Sequence, residues 1–317
     1  MSDLGRVLVL AGGLSHERDV SLRSGRRVAE ALRGVGLEVE VRDVDSALLP
    51  ALAADPPAAV FPALHGAVGE DGSVRDVLEL LGVPYVGADP RACRIAFDKP
   101  AAKAVLQGAG RDTPEAVALP HALFRDLGAA AVLDAIVARL GLPLFVKPAR
   151  SGSALGASVV RQAAELPAAM VGAFAYGETA LVERFVTGVE VAVTVLDTGG
   201  GPEALPAVEI APVSGVYDYA ARYTAGETEF FVPARLAPDA AAAAADLAVA
   251  AHRALGLRDL SRTDLIVDAA GRPWFLEVNV SPGLTETSLL PQAVAAAGRD
   301  LGMVCRDLLA LAVARAA

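Results

Sequence analysis

Short apolar runs alternate with amphipathic stretches through the first eighty residues. Val7–Ala11, Val39–Val44 and Ala58–Leu64 are each bounded by glycine, proline or charge, which predicts short buried strands. From Ser21 to about Arg33 the apolar positions recur at helical spacing, and a second helix is predicted from Ser73 to Leu81. This alternation predicts an open parallel sheet. Such sheets place ligand loops at the carboxyl ends of their strands, where the polar clusters Gly12–Arg18 and His65–Gly72 fall.

The pattern changes near residue 95. Helices are predicted over Pro100–Gly108 and Ala129–Leu140, then a strand Leu142–Pro148, a glycine-containing loop and a strand Ala180–Val186. From Val189 strands dominate: Val189–Leu196, Leu205–Ala211 and, after a polar loop to about Thr228 and a long helix Pro238–Leu255, a hairpin over Arg262–Asn279. A terminal helix is expected from Asp300 to about Arg315. No internal repeat is visible. The division expected is an N-terminal α/β lobe (residues 1–95), a small central α+β lobe (96–184) and a C-terminal lobe (185–317).

Length and composition narrow the possibilities. A chain of 317 residues exceeds what one compact core usually holds, which also favours several lobes. Hydrophobic residues make up 54%, but charges or Pro/Gly interrupt every run before the ~20 residues of a membrane helix. The N-terminal run leads directly into glycines and reads as a strand and turn rather than a signal peptide, so a cytoplasmic, non-membrane protein is expected. Cys93 and Cys305 stand far apart without His/Cys company, which suggests neither a disulfide framework nor a zinc cluster. A formal net charge of −10 argues against nucleic-acid binding, while leaving room for a small anion in a local basic site.

Three constellations carry chemistry. The first is the loop from Lys147 to Gly156, Lys-Pro-Ala-Arg-Ser-Gly-Ser-Ala-Leu-Gly, which follows a strand. Glycines let backbone N–H groups approach an anion, and a lysine at the strand end can neutralise phosphate oxygens. The spacing is not that of a P-loop, and such a loop taken alone is more often an ordinary surface turn. The second is Arg262-Thr-Asp264 on one strand with Glu277-Val-Asn279 on the next. Glu277 and Asn279 leave the same strand face, and pairing about the glycine turn sets Asp264 roughly opposite Glu277, with a bulge able to shift the register by one. Two carboxylates and an amide oxygen repel unless a cation lies between them, and this donor set suits Mg²⁺ that keeps waters and phosphates. An exposed polar hairpin face is the plain alternative, weakened by the apolar Trp274, Phe275 and Leu276. The third is Ser15-His-Glu-Arg-Asp-Val-Ser21, which has two readings: Ser15, Asp19 or Ser21 as a helix cap, or Glu17 as an anchor for a substrate ammonium.

Four segments carry a family resemblance: His16-Glu17-Arg18-Asp19-Val20-Ser21, Leu64-His65-Gly66-Ala-Val-Gly69-Glu70-Asp71-Gly72, Tyr217-Asp-Tyr-Ala-Ala-Arg222-Tyr223, and Arg262-Thr-Asp264 followed by Glu277-Val-Asn279-Val-Ser-Pro-Gly283. In this order and spacing the chain resembles D-alanine:D-alanine ligases of the ATP-grasp superfamily, from about Val7 through the C-terminal helix. The resemblance implies an ATP-grasp fold behind an N-terminal parallel-sheet lobe, and ATP-dependent, ADP-forming joining of two D-alanines through an acyl phosphate, for peptidoglycan precursors. It also implies two Mg²⁺ ions, with Mn²⁺ able to substitute, and a homodimer through the first lobe.

By the same resemblance, Lys99 and Lys147 hold nucleotide phosphates under the Ser151–Gly156 loop, including Ser153 and Ala154. Glu183, Arg184, Phe185 and Val186 meet adenine, Tyr217, Phe185 and Leu276 wall its pocket, and Glu190 serves the ribose or the neighbouring network. Arg222 belongs to the loop over the phosphates. Asp264, Glu277 and Asn279 are the metal ligands. Glu17 receives the first D-alanine's ammonium with His65 nearby, Ser288 and Leu289 recognise the second carboxylate, and Arg262 with the Gly283 N–H forms an oxyanion site. Tyr223, Ser153 and Glu190 match a trio that ties the mobile segment Val213–Thr228, the expected lid, to the substrate end.

Two positions depart from the family pattern. Arg222 stands where lysine is usual, which replaces a point donor by a planar fork, and Ala154 stands where a second serine is common, which leaves only its backbone N–H. The alternatives are a related ligase with a different acceptor, such as D-lactate, D-serine or a biosynthetic substrate, or a nucleotide-binding regulatory protein without turnover. Tyr223 favours the dipeptide product. Retention of Arg262, Glu277 and Asn279 favours an enzyme.

Overall fold

The computed structural model describes residues 4–213, 215, 217, 221, 224 and 226–316. The first sheet is parallel, with β1 (Val7–Leu10) between β2 (Val39–Arg42) and β3 (Ala59–Pro62). All four β1 residues are buried, as the unbroken run Val-Leu-Val-Leu requires of a strand covered on both faces. The following helix spans Arg18–Gly34, three residues earlier than its periodicity predicts.

The second sheet is antiparallel, in the order β4 (Ala116–Pro120), β7 (Thr179–Arg184), β5 (Leu144–Pro148), β6 (Ser158–Val160). The third contains β11 (Thr228–Phe231), β10 (Val208–Pro212), β8 (Val189–Leu196), β12 (Leu260–Val267) and β13 (Pro273–Asn279) in that order, with short β9 (Glu203–Ala204) beside β8. The strand expected over Leu205–Ala211 is β10, which begins three residues later, and β9 lies just before the expected range. The alternation along β8 gives the third sheet two apolar faces. One takes Val191, Val193 and Val195 against Ala240, Ala244, Ala248 and Ala251, spaced to form one face of the helix Pro238–Ala254. The alanine richness thus lets this helix lie close on the sheet.

The opposite face, with Ala192, Leu196 and Ile210, shares a core with Val7, Val9, Val28 and Leu32 of the first lobe. Leu289 and Val294 of the helix Leu289–Ala296, and Val304, Leu308 and Leu309 of the helix Leu301–Ala316, fill the space between. The two ends of the chain therefore bury one another. A strap of charge reinforces them: Arg315 Nη1 and Nη2 lie 2.5 and 2.7 Å from the buried Asp259, which accepts the Gly87 N–H at 2.6 Å.

Candidate active site

A cavity of about 530 Å³ opens between the second and third sheets, with Lys147 and Phe145 of β5 on one side and Ile210, Asp264, Leu276 and Glu277 of the third sheet on the other. Glu183, Arg184, Phe185, Val186 and Glu190 line the connection from β7 to β8, and Tyr217 and Ala154 also border the space. Tyr217 packs edge-on to Phe230, ring centres 6.3 Å apart. Of this group, Arg184 turns its guanidinium outward, to Leu140 O at 3.1 Å and Glu115 at 3.2 Å.

The buried end of the cavity is a charge network. Lys147 Nζ lies 3.0 Å from one Glu183 oxygen and Lys103 Nζ 2.5 Å from the other. Lys103 also donates to Thr113 Oγ1 at 2.8 Å and to the Phe275 carbonyl at 3.2 Å. Burial opposes every charge here. The two lysines outweigh it at Glu183 and hold that carboxyl below its ordinary value, and Glu183 and Glu277 hold Lys147 above its own. Lys103, for which burial dominates, is pushed down to about 8. Sequence reasoning missed Lys103, although a signal existed: it lies four residues after Lys99, on the same face of the helix Lys99–Gly108. Lys99 itself donates to the Ser151 carbonyl at 2.7 Å and stands 3.5 Å from Glu277.

On the third sheet, β12 and β13 pair Asp264 with Glu277 and Arg262 with Asn279, and the register shifts between Asp264 and Leu265. The bulge admitted by the sequence therefore falls just past the polar pairs and leaves them facing. Arg262 reaches along its own strand to grip Asp264 with a fork of 2.7 and 2.8 Å. Burial works against the Arg262 charge, and the Asp264 carboxylate more than offsets it, so the guanidinium is held above its ordinary value. Asn279 Oδ1 accepts the Ser281 N–H at 2.8 Å. Among the described residues no three His, Cys, Asp or Glu side chains form a cluster able to hold a metal. The candidate donors are thus two carboxylates and one amide oxygen.

Glu17 stands at the amino end of the helix Arg18–Gly34, with no side-chain cap there. Neither Ser15, Asp19 nor Ser21 caps it either. Ser15 Oγ donates to the His65 carbonyl, and Ser21 Oγ accepts the Gly12 N–H and donates to Ala63 O. Ser15, which also accepts the Glu17 N–H at 3.2 Å, and Ser21 thus join loops, and the Glu17 carboxylate accepts a hydrogen bond from Ser153 Oγ across the molecule. The resemblance grouped Ser153 with Tyr223 and Glu190. The Ser153 hydroxyl donates to Glu17, and Tyr223 and Arg222 lie outside the described residues. Ser153 and Ala154 both have left-handed backbones, φ +51° and +55°, an uncommon conformation for side-chain-bearing residues and typical of loops shaped around a ligand.

Beside Glu17 lies a second carboxyl that sequence reasoning quoted but left without a role. Glu70 is buried and accepts the Gly66 N–H at 2.9 Å, and burial, then the charge of Glu17, pushes it up to about 8. Glu70 is thus neutral near pH 7. His65, expected to face substrate, is enclosed: Nε2 lies 2.9 Å from Ser24 Oγ and Nδ1 3.0 Å from Ser281 O, and burial pushes it down to about 4. The loop after β13 brings Gly283 against Ser288, whose Oγ accepts the Thr285 N–H at 3.0 Å, and Leu289 is buried at the start of its helix.

Comparison with known proteins identifies the family of the chain. The family described as D-ala D-ala ligase N-terminus matches residues 51–88, and that described as D-ala D-ala ligase C-terminus matches 106–310. The D-alanine–D-alanine ligase of Bordetella petrii is 42% identical over 98% of this chain and 93% of its own length. That of Moorella thermoacetica is 40% identical over 97% and 99%. Among solved structures, the D-alanine–D-alanine ligase of Bacillus anthracis complexed with ATP aligns with TM-score 0.82 and 27% identity over 98% of each chain. The VanG D-Ala:D-Ser ligase of Enterococcus faecalis aligns with TM-score 0.84 and 28% identity over 97% and 99%. Matched in both halves of the family and sharing four residues in ten with relatives along nearly its whole length, the chain belongs to the D-alanine–D-alanine ligase family.

Proposed function

We propose that the protein is an ATP-dependent, ADP-forming ligase that joins two D-alanines into D-alanyl-D-alanine for peptidoglycan precursors. The observation that carries the reading is the bond from Ser153 to Glu17, which ties the glycine loop after Lys147 to the end of the first sheet, where the reading anchors an amino acid. ATP would occupy the cavity, with adenine between Phe185, Tyr217 and Leu276 and its phosphates toward Lys99, Lys147 and the Ser151–Gly156 loop. Asp264, Glu277 and Asn279 offer hard oxygen donors that fit Mg²⁺, which when bound neutralises charge spreading over the transferred phosphoryl group. Two ions are proposed, as is a homodimer through the first lobe, where Leu49 and Leu80 are exposed. Three lobes, residues 1–95, 96–184 and 185–317, are proposed as the divisions of the chain, the first and third joined by their shared core.

Glu17 would hold the ammonium of the first D-alanine. A neutral Glu70 leaves one negative charge beside that ammonium, sufficient to pair it. The carboxylate of this D-alanine takes the γ-phosphoryl group as the bond to ADP breaks. The amine of the second D-alanine then attacks the acyl phosphate, phosphate leaves and the amine gives up a proton. Arg262 and the Gly283 N–H would stabilise the tetrahedral oxyanion, a role for which losing one donor costs about 3 kcal/mol. Val213–Thr228 is proposed as the lid that keeps water from the acyl phosphate.

The test is ADP release coupled to D-alanine, with the dipeptide identified by mass. Turnover with D-alanine and none with L-alanine is expected. D-alanine-independent ATP hydrolysis alone would refute the proposal, and faster release with D-serine or D-lactate as second substrate would reassign the acceptor.

A further inference from the structure

We infer that Ser24 and His65 form a clamp that fixes the loop Ser281–Ser288, making them positioning residues for the acceptor amino acid; this rests on the proposed reading of that loop as the acceptor's carboxylate site.

Ser24 lies in the interior of the helix Arg18–Gly34 and is fully buried. A serine there gains little for the helix, whose interior favours other residue types. Its hydroxyl instead leaves the helix, to 2.9 Å from His65 Nε2 and 3.2 Å from Leu284 N. Proton positions follow from the partners. The Ser281 carbonyl, 3.0 Å from His65 Nδ1, can only accept, so Nδ1 carries the ring proton. Nε2 is then an acceptor, the Ser24 hydroxyl donates to it, and the same oxygen accepts the Leu284 N–H. Burial keeps the ring neutral, which preserves this tautomer at physiological pH.

The loop is thereby held on both sides of Gly283. Ser281 is fixed through its carbonyl to His65 and through its hydroxyl to Leu64 O at 2.6 Å, and Leu284 is fixed through its N–H to Ser24. A Cβ at Gly283 would lie 2.7 Å from Ser288 Oγ, so any shift of this backbone is passed on to Ser288. Both ring nitrogens of His65 are committed to this frame, so its influence on substrate runs through the loop.

Ser24→Ala removes the hydroxyl from the clamp. Initial rates against D-alanine resolve the two substrate sites, and hydroxylamine, which has no carboxylate to be recognised, competes for the acyl phosphate. The expected result is a rise of about tenfold in KM for the second D-alanine, the cost of one buried hydrogen bond, with the first KM and ATP affinity within about twofold. The hydroxamate-to-dipeptide ratio should rise with it. His65→Asn, which keeps a donor at the Nδ1 position and loses the acceptor for Ser24, should give the same split and serves if Ser24→Ala does not fold. Equal loss in all three constants with an unchanged product ratio would overturn the clamp, as would no change. Should the wild-type chain show no D-alanine-dependent turnover, the proposed function fails, while the clamp is still judged by ¹⁵N shifts of His65 and exchange of the Leu284 amide. A protonated Nε2, or Leu284 protection unaffected by Ser24→Ala, would refute it.

Discussion

At Gly152 the chain passes so close to Glu17 that an added Cβ would stand 2.7 Å from Oε2. Gly152→Ala should therefore force the loop and the Glu17 carboxylate apart and, since ~1 Å of misplacement can cost about a hundredfold, lower kcat/KM for D-alanine by one to two orders of magnitude. Steady-state kinetics check this, and activity within twofold of wild type would show that the contact is dispensable. Arg262, Asp264 and Glu277 stood out because charged groups on an apolar hairpin are conspicuous, whereas Glu17, among other polar residues, was singled out by the resemblance. Ser24 and Glu70 did not stand out. Their importance comes from burial and from partners far along the chain, and neither has a local signature.

Among the elements, the β12–β13 hairpin was the most readable. A period of two and a glycine turn fix which side chains share a face, and the bulge after Asp264 spares the facing pairs. The short strands β4, β6 and β11 escaped notice. β4 is half-exposed, ends in Pro120 and pairs only at one edge, so neither alternation nor a buried run marks it. The helix Lys99–Gly108 carries a sharper prediction. In Lys103→Met, Glu183 keeps Lys147 as its ionic partner but loses its second, and the ATP KM should rise about tenfold, in line with truncation of a buried charge pair. Because Lys103 sits at about 8, its charge is present below that pH and lost above it. The ATP KM of the wild-type enzyme should therefore climb as pH rises through 8, and the climb should flatten in the variant. A parallel climb in both would assign it to another group.

For the whole molecule, His65 and His252 set an acid limit. Each is pushed by burial down to about 4 from an ordinary 6.5, so the unfolded chain takes up protons in this window that the folded chain refuses. Stability contributed by the neutral rings is present above pH 6.5 and lost as pH falls toward 4, by about 3 kcal/mol for each histidine. Denaturant unfolding across this range should show the loss. His252→Asn, which keeps a polar atom near Ser261 Oγ at the Nδ1 position, should have a shallower slope; the same slope in both would exclude His252 as a source.

Sequence alone determined the parallel first sheet, the pairing of the polar hairpin positions and the family, because periodicity, turn chemistry and motif spacing are local properties of the chain. Tertiary structure decided the rest. That Ser153 bonds Glu17, that Lys103 shares Glu183 with Lys147, that His65 faces Ser24 and Ser281, and that the two ends of the chain bury a common core all depend on segments brought together over long separations. Only there do burial and neighbouring charge act, and these set which groups stay neutral, which stay charged and which hold others in place.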